Sequence, residues 1–181
     1  MEGVTHRRKG ETQEEEEFQG IEKKAAPRQG AKTLIIAVAI PLVLGILDAV
    51  FFSPNSSYYK GLKKPWWNPP GWLFGLAWTV LYSAMGLASW LVWVEGGFEK
   101  QGRPLLIYGV QLFINLLWPA IFFGLKKPGL ALLDIAVLDV AVYVCMDAFK
   151  PVNHVAADLF KPYLAWVLFA TALNYRIYAL N

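Results

Sequence analysis

The chain has 181 residues, 56% of them hydrophobic and 17% charged, with a formal net charge of +3. Soluble domains average about 45–50% apolar and about 25% charged residues, so this composition, with a mean hydropathy of +0.37, excludes an ordinary soluble domain and identifies an integral membrane protein. The basic residues sit at segment ends and near the N-terminus rather than along one stripe, which argues against nucleic-acid binding; the single cysteine, Cys145, rules out an intramolecular disulfide.

Residues 1–31 come first. Seven glutamates lie among the first thirty positions, interleaved with Arg7, Arg8, Lys9, Lys23, Lys24 and Arg28. Such a stretch buries too little apolar surface to fold, so a disordered, charged tail is expected. It does not read as a secretory signal, because the first apolar run starts after Lys32. Its acidity also argues against a mitochondrial transit peptide.

Five apolar segments follow, at about residues 33–52, 71–94, 104–124, 129–149 and 157–180. Each reaches the roughly 20 residues that a helix needs to cross the hydrocarbon core. The expected fold is therefore all-α, a five-transmembrane-helix bundle over residues 32–181. The second, third and fourth loops are short, which makes sequence neighbours antiparallel. Only the first loop, 53–70, is long enough to act as a lid. Pro65, Pro69 and Pro70 remove backbone donors there, so it lies at the interface or over protein. Lys and Arg close to the spans number eight on the N-terminal side and six on the other, which leans toward a cytosolic N-terminus.

Asp48, Asp134 and Asp139 fall inside apolar segments. A carboxylate near the bilayer centre costs at least about 2.5 kcal/mol, so each should face the bundle interior or water, either as a ligand or proton site or as interhelical glue. In the third segment Gln111, Asn115, Trp118 and Phe122 share one helical face. Pro119 deprives the Asn115 carbonyl of its helical partner, and a kink is expected there. That face suits a ligand cavity or ordinary packing.

Trp66, Trp67, Trp72, Trp90 and Trp93 lie near segment ends, where aromatic belts form. Deeper in the spans, Trp78 shares a face with Tyr82, and Trp166 with Ala170 and Leu173. These faces would clamp a flat apolar ligand or simply pack the core. Gly71 and Gly75 form a GxxxG match that would admit a close helix. No conventional catalytic set is present. His6 and His154 have neither a second histidine nor a cysteine cluster nearby to make a metal site, and there is no phosphate-binding glycine loop.

The segments KGLKKPWWNPPGWLFGLAWTVLYSAMGLASWLVW, QLFINLLWPAIFFG and KPYLAWVLFATALNY, in this order, resemble the translocator protein family, also called tryptophan-rich sensory proteins or peripheral-type benzodiazepine receptors, and its plant members in particular. The resemblance implies a five-helix bundle, often dimeric, that binds tetrapyrroles such as protoporphyrin IX or haem, and sterols or other lipids in some members, without a required cofactor. Matched by motif, the ligand-lining tryptophan of WxxLY falls on Trp78, the NxxW pair on Asn115 and Trp118, and the PYLAW tryptophan on Trp166, with Ala170 and Leu173 further along its face. Trp67 matches the lid tryptophan, and Asp134 an acid of the fourth helix in animal members.

The resemblance implies a receptor or scavenger for porphyrins. An alternative is light-dependent porphyrin breakdown in which Trp78 or Trp166 takes part; others are sterol transport, or an adaptor whose tail recruits protein partners. Plant relatives suggest the endoplasmic reticulum and Golgi, and animal relatives the mitochondrial outer membrane.

Overall fold

The computed structural model describes residues 30–52 and 56–181. The expected tail, apart from its last two residues, and positions 53–55 of the expected lid lie outside the described residues. Five helices are long and apolar enough to cross a membrane, and no strand occurs among the described residues. They are α1 (Gly30–Phe51), α3 (Gly71–Trp93), α4 (Gly97–Pro119), α5 (Pro128–Phe149) and α6 (His154–Leu180), with a short α2 (Ser57–Gly61) in the first loop. Residues 37–181 form one compact unit.

Helix boundaries follow from local chemistry. Gly96 and Gly97, at φ 136° and 65°, take left-handed conformations that reverse the chain between α3 and α4. The third span was expected from about 104, yet α4 begins at Gly97 and is interrupted at Gln101 (φ −110°, ψ 20°). Beyond this break Pro104 sits in a fresh first turn, where its missing N–H has no helical partner to lose. α6 starts at His154, a residue expected in a loop, because the Asn153 side chain accepts from the Ala156 N–H at 3.0 Å and caps the helix. At Pro119 the expected irregularity takes the form of a π-helical turn, Ala120–Gly124, in which the Leu125 N–H donates to the Ala120 carbonyl at 2.8 Å.

The core lies between α3, α4, α5 and α6. Met85, Ala88 and Val92 of α3, Leu138, Val142 and Cys145 of α5, and Phe160, Tyr163 and Val167 of α6 are almost wholly buried. Leu76, Val80, Phe113, Val137 and Leu168 face outward. Helices apolar on both faces belong in lipid. α1 is the least buried of the five spans and meets α3 through two glycines. A Cβ on Gly86 would lie 2.5 Å from Val38 Cα, and one on Gly45 would collide with the Tyr82 ring. The GxxxG pair anticipated from sequence behaves differently: nothing approaches a Cβ at Gly71 or Gly75 within 4 Å. The close helix contact within this chain is thus made at Gly45 and Gly86.

Candidate functional site

Trp78 and Tyr82 are one helical turn apart on α3, and their rings meet at 5.5 Å between centroids. Trp78 also stands edge-on to Tyr163 of α6 at 6.3 Å. Below these rings is a polar knot. The Tyr82 hydroxyl donates to Asn115 Oδ1 (2.6 Å), while Asn115 Nδ2 and Gln111 Nε2 both donate to the Tyr163 oxygen (2.8 and 2.6 Å). All four side chains are buried. They tie α3, α4 and α6 together in a medium where unpaired polar groups are costly, which fixes the register of the three helices.

Nearer the first loop the wall is aromatic. Trp118 stacks on Phe122 at 4.9 Å, and its indole N–H donates to Asn174 Oδ1 at 2.9 Å. Asn174 Nδ2 donates in turn to the Pro128 carbonyl at 2.8 Å, which joins α6 to the start of α5. Trp166 lies edge-on to Phe74 at 5.7 Å and beside Phe169 at 5.5 Å. Its Nε1 is buried and has no hydrogen-bond partner.

The loop carrying α2 closes over this wall. Trp67 packs on Phe169 at 5.7 Å, whereas its neighbour Trp66 is 96% exposed. Tyr59 sits edge-on to Phe122 and Phe123, its hydroxyl donates to Asn68 Oδ1 at 3.2 Å, and Lys64 Nζ lies 4.5 Å from its ring centre. Burial pushes the Tyr59 hydroxyl above its ordinary titration range, with the Asn68 bond pulling only partly back.

The end of the bundle bearing this loop carries Lys60, Lys63, Lys64, Lys126, Lys127 and Arg176, and no acidic residue occurs in 52–72, 121–133 or 172–181. The opposite end mixes Glu95, Glu99, Asp147 and Asp158 with Lys100, Arg103, Lys150 and Lys161. The first-loop end is therefore an unbalanced cationic rim.

Of the residues anticipated from sequence, Trp67, Trp78, Tyr82, Trp118, Trp166, Ala170 and Leu173 fall in two adjoining apolar clusters that share Trp118, and Asn115 bonds into them. Asp134 Oδ2 is buried without a hydrogen-bond partner, between Ala131 and Ile135 of the same clusters on α5. Tyr163, Asn174, Phe74 and Phe169 were not anticipated. The signal was present for two of them, since Tyr163 and Phe169 flank Trp166 at three residues on either side, the spacing of one helical face. Among the described residues no three His, Cys, Asp or Glu side chains gather to hold a metal ion.

The profile of the TspO/MBR family matches residues 37–180. The translocator protein of Homo sapiens is 48% identical over 126 residues, covering 68% of this chain and 75% of that protein. The tryptophan-rich protein TspO of Archaeoglobus fulgidus is 39% identical over 149 residues, covering 82% and 96%. The translocator protein homolog of Arabidopsis thaliana is 34% identical over 159 residues, covering 86% and 80%. With the match running from α1 to the end of α6, the chain is a multi-pass membrane protein that belongs to the TspO/MBR family.

Proposed function

We propose that this protein binds tetrapyrroles, protoporphyrin IX or haem, between the aromatic faces of α3, α4 and α6 beneath the first loop, and acts as a scavenger or regulator of porphyrin levels. The observation that carries this reading is the Trp166 indole N–H, buried without a partner beside Phe74 and Phe169 and below the loop that brings Trp67. A buried donor of this kind gains by meeting an acceptor, and the surrounding rings favour a flat apolar one. The cationic rim at the same end complements the carboxylates that a porphyrin carries on one edge. The membrane of residence in this reading is that of the endoplasmic reticulum and Golgi, with the mitochondrial outer membrane as the alternative.

The test is an equilibrium titration of detergent-solubilised protein with protoporphyrin IX, followed by tryptophan fluorescence. Saturable quenching is expected. Trp166→Phe keeps a ring but removes the N–H, and should weaken binding about tenfold, the equivalent of one hydrogen bond of roughly 1.4 kcal/mol. Quenching that never saturates would reject the reading.

A further inference from the structure

Val38, Pro41, Gly45, Asp48 and Phe52 are spaced alternately three and four residues apart, which puts them in one stripe along α1 and its last residue's successor. Four of the five are seen to face the bundle. Val38 meets Gly86, Pro41 is fully buried, Gly45 lies against the Tyr82 ring, and the Phe52 ring would sit 3.0 Å from a Cβ on Gly124. Asp48 lies between the last two contacts. Its carboxylate is therefore directed toward the bundle, between Tyr82 of α3 and Gly124 at the end of the π-helical turn that follows α4.

Asp48 Oδ2 is buried and has no hydrogen-bond partner. Asp134 Oδ2 and Asp139 Oδ1 are likewise buried without a partner, although Asp139 accepts from the Thr171 hydroxyl through Oδ2 at 2.9 Å; Asp48 differs in its place, on the α1 stripe between the Tyr82 and Gly124 contacts. No Lys, Arg or His occupies the inward stripe of α1. A carboxylate in an apolar wall is costly unless something supplies positive charge or hydrogen-bond donors. The cationic side chains at this end of the bundle lie in the loops and near the end of α6, so the α1 wall facing the site is acidic where the rim above it is basic.

We infer that Asp48 is a charge-selecting residue of this site, favouring flat ligands that turn a protonated nitrogen or an N–H donor toward α1 and rejecting those that turn an anion there. The inference rests on the tetrapyrrole reading for the location of the site. For a porphyrin it favours an orientation with pyrrole N–H groups rather than carboxylates against α1.

The experiment uses three probes of one ring size: 9-aminoacridine, cationic at neutral pH, neutral 9-methylanthracene, and anionic 9-anthracenecarboxylate. Each is titrated into the full-length protein in nanodiscs of uncharged lipid. The ratio of anion Kd to cation Kd is read for the unmodified protein and for Asp48→Asn, Asp48→Ala and Asp48→Glu, each checked for helical content. The ratio should fall at least about tenfold in Asp48→Asn, as expected for one charge-assisted contact, and stay near its original value in Asp48→Glu. Asp48→Ala gives the same information should the amide variant unfold. A ratio unchanged by neutralising Asp48, a Glu variant as indifferent as the Asn variant, or no saturable binding of any probe would overturn the inference. A parallel protoporphyrin titration separates the two ideas. Saturable porphyrin binding with an unchanged ratio sinks only the role of Asp48, and the converse pattern sinks only the tetrapyrrole reading.

Discussion

Asn181 grips Lys63 with both ends of its side-chain amide. The Lys63 N–H donates to Asn181 Oδ1 and Asn181 Nδ2 donates to the Lys63 carbonyl, each at 3.0 Å, across 118 residues of sequence. The end of α6 is thereby tied to the loop over the candidate site, and Trp67 on Phe169 makes a second tie. Asn181→Ala should free the loop while leaving the bundle intact. Each bond is worth about 1 kcal/mol at most in this exposed setting, so amide exchange at Lys63 should quicken by roughly tenfold with the melting temperature little changed. Hydrogen exchange resolved at Lys63 checks this, and unchanged exchange would mean that the aromatic tie alone holds the loop.

The polar knot in the core predicts an order among tyrosine variants. Tyr163→Phe removes an oxygen that accepts from both Gln111 and Asn115, whereas Tyr82→Phe removes one donor to Asn115. Interhelical hydrogen bonds in membrane proteins average about 0.6 kcal/mol and reach about 1.7. Loss of the two shared bonds should therefore cost about 1–3 kcal/mol, and loss of the single bond about half as much. Reversible unfolding in mixed micelles gives both values. A larger loss in Tyr82→Phe than in Tyr163→Phe would contradict the network.

How far the sequence disclosed these features depended on whether a local rule was sufficient. The five spans were legible because hydropathy over some 20 residues is a local property; the fourth, read as 129–149, is Pro128–Phe149. The aromatic faces were legible too, since Trp78 with Tyr82 and Gln111 with Asn115 follow helical spacing. Other features required knowledge of which helices touch. Gly71 and Gly75 carried the recognisable motif, but Gly45 and Gly86 make the contact, and no spacing within one helix reveals a glycine that admits a neighbour four decades of sequence away. The Asn181–Lys63 pair was hidden for the same reason. The start of α6 was legible in principle, since Asn153 is a good N-cap residue, but hydropathy placed the boundary at the first apolar run instead.

The loop should also respond to alkaline pH. Burial holds the Tyr59 hydroxyl above its ordinary value, which is about 10 for a free tyrosine, so the closed loop favours the neutral phenol. The stabilisation is fully present below the open-state value and is lost as pH rises through the raised, closed-state value. Loop opening should therefore set in above about pH 10. A spin label at Trp66→Cys in a Cys145→Ala background reports it, because Trp66 is exposed and leaves the packing undisturbed. Lys64 Nζ lies over the Tyr59 ring. Tyr59→Phe keeps that contact but has no hydroxyl to ionise, so label mobility in this variant should rise less steeply. Identical profiles would show that the Tyr59 hydroxyl does not drive the transition.

Glycine substitutions test the α1–α3 contact most directly. Gly86→Ala places a methyl 2.5 Å from Val38 Cα and 2.6 Å from the Ala37 carbonyl oxygen, and backbone cannot move aside unless the helices part. Gly45→Ala drives a methyl into the Tyr82 ring, which is held in place by its bond to Asn115. Each should cost about 1–3 kcal/mol, the usual range for overpacking. Gly75→Ala meets nothing within 4 Å and replaces a poor helix former with the best one, so it should stabilise by up to about 1 kcal/mol. Thermal unfolding of the three variants in one detergent gives the comparison. Should Gly75→Ala prove as damaging as Gly86→Ala, the open Gly71–Gly75 face must be occupied by something outside this chain. A second copy would then be the first partner to test, by cross-linking at Gly71.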